Sequence, residues 1–138
     1  MKHTLPEVLA PAGSPECLTA AVRCGAAAVY LGVEEFNARR SARNFTTESL
    51  REAVAFCRAR GVAVYLTLNT LLGDRELEEA ADLLRLASRC GVDAVIAQDW
   101  GVFTLAREVT PDLPIHASTQ LSGHNTDAAV ELSRLGFT

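Results

Sequence analysis

Four times along this 138-residue chain a helical stretch ends on an arginine, meets a glycine within two residues and passes into apolar sequence. The segments are Arg23-Cys24-Gly25 before AAAVYLG, Arg58-Ala59-Arg60-Gly61 before VAVYLT, Arg89-Cys90-Gly91 before VDAVIAQ, and Arg134-Leu135-Gly136 before Phe137. A cation in the last turn faces the negative end of the helix dipole, and a glycine can take the left-handed conformation that closes a helix. The glycines lie 36, 30 and 45 residues apart. That is the length of one strand-plus-helix unit with loops of different size.

Apolar residues precede these glycines at the helical period: Leu18, Ala21 and Val22; Leu50, Ala53, Val54 and Cys57; Leu77, Ala80, Ala81, Leu84 and Ala87. Ser14, Thr46, Asp74 and Asn125 stand where each can cap a helix, and Glu16, Glu48, Glu76 and Asp127 follow two residues later, where the dipole favours an anion. Pro15 suits the first helical position. Two further helices are predicted over Trp100–Val109 and Thr126–Leu135. Val8–Ala10, Ala28–Leu31, Val62–Leu66, Ala94–Ala97 and Ile115–Ala117 read as short, nearly continuous apolar strands. Such strands alternating with helices mean a parallel sheet covered on both faces.

The order is therefore βα repeated five times, which leaves an open doubly wound sheet or a barrel. A dinucleotide-binding sheet wants G-x-G-x-x-G after its first strand, and Pro11-Ala12-Gly13-Ser14-Pro15 does not supply it. We expect an α/β fold: a partial (β/α)8 TIM barrel of about five βα units, one domain over 1–138. A whole barrel takes roughly 250 residues. The pattern thus predicts the amino-terminal portion of a longer enzyme, whose open sheet edges need the missing barrel half or a partner subunit.

Composition narrows the surroundings. With 13 basic and 17 acidic side chains and a net charge of -4, a generally nucleic-acid-coating surface is excluded, although a local basic patch is not. Apolar runs break within about ten residues, well short of the roughly 20 that span a bilayer, so no membrane partner is expected. Cys17, Cys24, Cys57 and Cys90 form no C-x-x-C pair. They read as reduced packing residues of a cytoplasmic protein.

In a parallel barrel, chemistry gathers at the carboxyl ends of the strands. Those ends deliver Gly13 and Ser14, then Gly32, Glu34 and Glu35, then Thr67, Asn69 and Thr70, then Gln98 and Asp99, then His116, Ser118, Thr119 and Gln120. Ser14, Thr70 and Asp99 are equally natural as helix caps or loop residues. Asn69, Gln98, His116 and Gln120 lie in or just after apolar strands, where an unpaired amide costs several kcal/mol, and are candidates to face substrate. Asp99 and His116 are the catalytic candidates. No H-x-x-x-H or H-E-x-x-H occurs, so no metal site is expected within this chain. A Ser118–His116–Asp99 relay has no nucleophile-elbow signature. The insertion from Glu34 to Thr46 carries Arg39, Arg40 and Arg43 around Asn37 and Asn44, flanked by Phe36 and Phe45. Guanidinium groups so close suit a carboxylate or phosphate, so Asn37, Arg39 and Arg43 join the substrate-binding candidates.

LAPAGSPECLTAAVRCGAAAVYLG, FNARRSARNFT, VYLTLNTLL, VIAQDWGV and IHASTQLSGHN, in that order, resemble the amino-terminal part of the peptidase U32 family. The similarity covers essentially the whole chain; Val33 departs from the second glycine of many relatives. The resemblance implies one of two activities: hydroxylation of an RNA base in rRNA or tRNA, or of a small aromatic, and a collagenase-like peptidase. It also implies a 4Fe–4S cluster held by four cysteines downstream of this region, with prephenate as a donor for the RNA enzymes. None of the four cysteines here matches those ligands. A non-catalytic half-barrel that pairs through its edges is the third possibility.

Overall fold

The computed structural model describes residues 6–33 and 45–138. In chain order the elements are β1 (Leu9–Pro11), α1 (Pro15–Arg23), β2 (Ala28–Leu31), α2 (Thr47–Arg58), β3 (Ala63–Leu68), α3 (Leu77–Cys90), β4 (Ala94–Ala97), α4 (Trp100–Val109), β5 (Ile115–Ala117) and α5 (Thr126–Leu135). Single 3-10 turns occupy Asp74–Glu76 and Thr119–Leu121. All neighbouring strands are parallel and lie in the spatial order β1-β2-β3-β4-β5. A doubly wound sheet reverses its order at a switch point; this one advances without reversal, as successive strands of a barrel do.

Local chemistry sets the helix ends. The hydroxyl of Ser14 accepts from the Cys17 N–H at 3.2 Å, and Asn125 Oδ1 accepts from Ala128 N–H at 2.8 Å. Thr46 and Ser49 form a reciprocal capping box, each hydroxyl accepting the other's backbone N–H. The third expected cap is different. Gly73, not Asp74, precedes the helical turn, because Glu76 Oε2 reaches back to accept the Gly73 N–H at 2.8 Å and leaves Asp74 inside the turn. The strands also run slightly later than the apolar pattern suggests: β1 includes Pro11, and β3 continues through Thr67 to Leu68.

The sheet is not covered on both faces, as its apolar strands suggest, but has one face closed by helices and one open face, because all the helices that bury strand residues pack on the same side. Val29, Leu31, Val64, Leu66, Leu68, Val95 and Ala97 are buried against Leu50, Val54 and Cys57 of α2, Leu83, Leu84 and Ala87 of α3, and Val102 and Ala106 of α4. On the other face the alternate residues Leu9, Pro11, Tyr30, Tyr65, Ile96 and His116 remain partly or fully accessible. Coverage thins toward the ends of the row, since α1 buries only Leu18 and α5 buries no residue. Thr138 donates its N–H to Ile115 O at 3.0 Å, carrying the ladder past β5. No helix among the described residues is long and apolar enough to cross a membrane.

Arginines in the last turn of a helix have a second use that spacing alone does not reveal. Arg58, at the end of α2, donates to Gly91 O at the end of α3 (2.9 Å), and Arg107 of α4 donates to Leu135 O at the end of α5 (3.1 Å). Each guanidinium thereby neutralises the carbonyl end of the next helix as well as lying near its own. Gly91 has φ +77°, and a Cβ there would collide with the Arg58 guanidinium. Gly91→Ala is therefore expected to lose about 1–2 kcal/mol to left-handed strain plus the displaced Arg58 bond. Gly25→Ala, at φ +86° with no neighbour within 4 Å, should lose the strain alone. Urea midpoints compare the two; equal losses would remove the proposed contribution of Arg58.

Candidate functional site

The open face of the sheet ends in a hollow of about 550 Å³ at the carboxyl ends of the strands. Register explains its make-up. Pro11, Tyr30, Tyr65 and Ala94 stand abreast on one level, and Thr67, Ile96 and His116 on the next. Asn69 follows β3 at the same period of two and joins Thr67 and His116 in the lining. Gly13, Ser118 and Thr119 form part of its rim. The walls are mainly apolar with a few convergent polar groups, the usual make-up of a small-molecule site.

The polar groups differ in how far the fold already engages them. Thr67 is buried and its hydroxyl donates to Leu31 O at 3.0 Å, tying β3 to the end of β2. The Ser118 hydroxyl accepts the Gln120 N–H at 3.2 Å and donates to Gln120 Oε1 at 3.3 Å. His116 is half-buried, its ring edge-on to Tyr65 with centroids 4.6 Å apart and planes at 79°. Burial holds its imidazole below the usual histidine pKa, so the neutral ring is favoured. Cys57, buried behind the sheet, has its thiol pushed up by the same loss of solvent, which suits packing rather than reactivity. Cys17 and Cys24 are exposed, so the packing role expected of the cysteines does not extend to them.

A family model of "Peptidase family U32" matches residues 13–138. The chain belongs to this family. It is 40% identical over 129 residues to a collagenase of Porphyromonas gingivalis. It is 39% identical over 132 residues to a 23S rRNA 5-hydroxycytidine synthase of Escherichia coli, and 37% over 123 to the tRNA hydroxylation protein P1 of Bacillus subtilis. The alignments cover 93%, 96% and 89% of this chain but 31%, 20% and 29% of those relatives. Among solved structures, the U32 peptidase Mk0906 superposes with a TM-score of 0.75 at 19% identity, covering 99% of this chain and 58% of that one. A phosphoribosylanthranilate isomerase from Thermotoga maritima superposes at 0.59 with 16% identity, covering 94% and 60%. These superpositions carry the barrel-type fold.

Within the U32 chain the sequence-derived candidates separate. Asn69 and His116 line one hollow. Asp99 caps α4 instead: Oδ1 accepts Val102 N–H at 3.1 Å and Oδ2 accepts Leu72 N–H at 3.3 Å, which joins the β3–α3 loop to β4. Gln98 is half-buried just after β4 and Gln120 is exposed beside Ser118; neither is part of the lining. Asn37, Arg39 and Arg43 fall outside the described residues. No hydrogen bond among the described residues links Ser118 or Asp99 to His116, so a Ser–His–Asp relay is not assembled here. Spacing did not single out Tyr30 or Tyr65, yet Tyr65-x-Thr67-x-Asn69 has the two-residue period of one strand face, a signal that could have found Tyr65.

One consequence is measurable on stability. The native state favours neutral His116, whereas the unfolded chain takes up the proton near pH 6.5. The unfolded chain thus binds more protons below that pH. The contribution of this group is full above about 6.5 and is lost as pH falls through the lowered native value. His116→Gln is expected to flatten that part of a stability-against-pH curve; an unaltered slope would contradict the burial of His116.

Proposed function

We propose that this chain forms the substrate-facing part of a U32 enzyme that hydroxylates an RNA base. The observation that carries the reading is the hollow, where an aromatic, Tyr30, and the polar groups of Asn69 and His116 converge at the carboxyl ends of parallel strands. A planar, mostly apolar ring with polar edges matches such walls. The relatives named for rRNA and tRNA hydroxylation, at 39% and 37% identity, support the same direction. In this reading Asn69 and the ring of Tyr30 orient the base, and His116, neutral, exchanges a proton with it. Arg39 and Arg43, with Asn37, grip an anionic group such as a phosphate or carboxylate.

An iron–sulfur cluster does not fit within the described residues. Cys17, Cys24, Cys57 and Cys90 sit on or at the ends of three helices, and no three His, Cys, Asp or Glu residues group as metal ligands there. No step is derived through a cluster, and in this proposal cluster and prephenate are held by parts of the protein outside these residues, with a cytoplasmic setting.

The test is deletion of the gene in its own organism followed by mass spectrometry of nucleosides from digested rRNA and tRNA. Loss of one hydroxylated nucleoside, restored by the wild-type gene, is the expected outcome. Unaltered hydroxynucleosides would defeat the reading. The collagenase relative, at 40% identity, favours peptide hydrolysis as a second reading. It ranks lower because Asp99 and Ser118 are already engaged with other partners. Gelatin digestion by the purified protein that persists after iron chelation would reverse the ranking.

A further inference from the structure

We infer that Tyr65 is a positioning residue, holding the imidazole of His116 toward the hollow across the face of β4. This rests on His116 being the group that meets substrate. Tyr65 and His116 belong to strands that are not neighbours: β4 lies between β3 and β5. Side chains that stand upright two strands apart are roughly 9–10 Å from one another, yet these ring centroids are 4.6 Å apart. The rings therefore lean toward each other over the intervening strand.

The register shows what makes room for them. Tyr65 pairs with Ala94, and His116 pairs with Ile96 one level higher on the same face. Ala94 presents a single methyl group between the two rings' strands, and a larger side chain there would occupy the space that the phenol ring crosses. Ile96, Thr67 and Asn69 line the hollow together with His116.

Tyr65 is also the only ring contact of His116 among the described residues, and no hydrogen bond of theirs fixes either imidazole nitrogen. The ring flip and tilt of a histidine are ordinarily set by a hydrogen bond to one nitrogen. Here an edge-to-face contact, worth about 0.5–1.5 kcal/mol, takes that part and leaves both nitrogens available to an occupant of the hollow. Burial, with the Glu7 and Asp93 carboxylates, pushes the Tyr65 phenol up, so the ring stays uncharged throughout the range in which His116 titrates.

The experiment is NMR of the histidine ring protons in the whole chain, with His116 assigned by the signal lost in His116→Gln. In the wild type the His116 signals should be displaced by the Tyr65 ring current, and their midpoint should lie below 6.5. Tyr65→Phe keeps the ring and should keep both features. Tyr65→Leu should abolish the displacement and return the midpoint toward 6.5. Ala94→Val, which crowds the gap without touching either ring's identity, should act in the same direction and serves if the leucine variant does not fold. Signals and midpoint unaltered in Tyr65→Leu or Ala94→Val would overturn the inference. Hydroxynucleoside formation by the Tyr65→Leu gene is read separately. If the NMR signals move and product is undiminished, positioning by Tyr65 stands and it is the part given to His116 in the reaction that falls.

Discussion

Replacing Leu66 by alanine is expected to lower the stability of this protein by about 2–5 kcal/mol, the range for large-to-small changes at sealed core positions. Leu66 lies in the central strand with no accessible surface, and its register partners Leu31 and Val95 are equally enclosed. The comparison is Leu9→Ala. Leu9 is 45% exposed on the opposite face of the same sheet, and surface changes of this kind are usually within about 0.5 kcal/mol. Chemical denaturation followed by circular dichroism separates the two. Similar losses for both variants would mean that the sheet has no such division into a sealed and an open face.

The second large effect falls on activity. His116→Ala, in the gene's own context, is expected to reduce the hydroxylated nucleoside by about 10²–10⁴-fold, the usual contribution of a positioned proton-transfer group. At neutral pH, where burial favours the uncharged ring, the stability lost should be that of the Tyr65 edge-to-face contact, about 0.5–1.5 kcal/mol, too little to abolish folding. Asp99→Ala should behave in the opposite way. It removes the acceptor for the Val102 and Leu72 N–H groups and is expected to cost about 1–2 kcal/mol of stability, as loss of a helix cap does. Its effect on product should be only what that stability loss explains. A full-strength product signal from His116→Ala, beside a soluble Asp99→Ala protein that makes none, would exchange the parts assigned to these two side chains.

The contrast between those residues shows how legible the site was. His116 lies in a short apolar strand and Asp99 just after one, and both carry titratable groups, so spacing treats them alike. What separates them is where neighbouring backbone N–H groups lie, and the Leu72 N–H comes from a loop 27 positions away. Tyr65 is a similar case. Its importance depends on Ala94 being small and on a ring two strands away, neither of which a local pattern can register.

The elements themselves followed from sequence because their causes are local: an apolar period of 3.6 or a buried apolar run, a hydroxyl or amide at the starts of α1, α2 and α5, and glycine where helices end at positive φ. Parallel pairing followed too, since strands separated by helices can meet in few other ways. Tertiary structure decided the rest: which face of each strand is sealed by helices, which polar ends share one hollow, and that Arg58 and Arg107 serve the carbonyl end of the next helix. Those outcomes depend on distances between residues remote in the chain, and such distances are set by packing all the elements at once rather than by any one stretch of sequence.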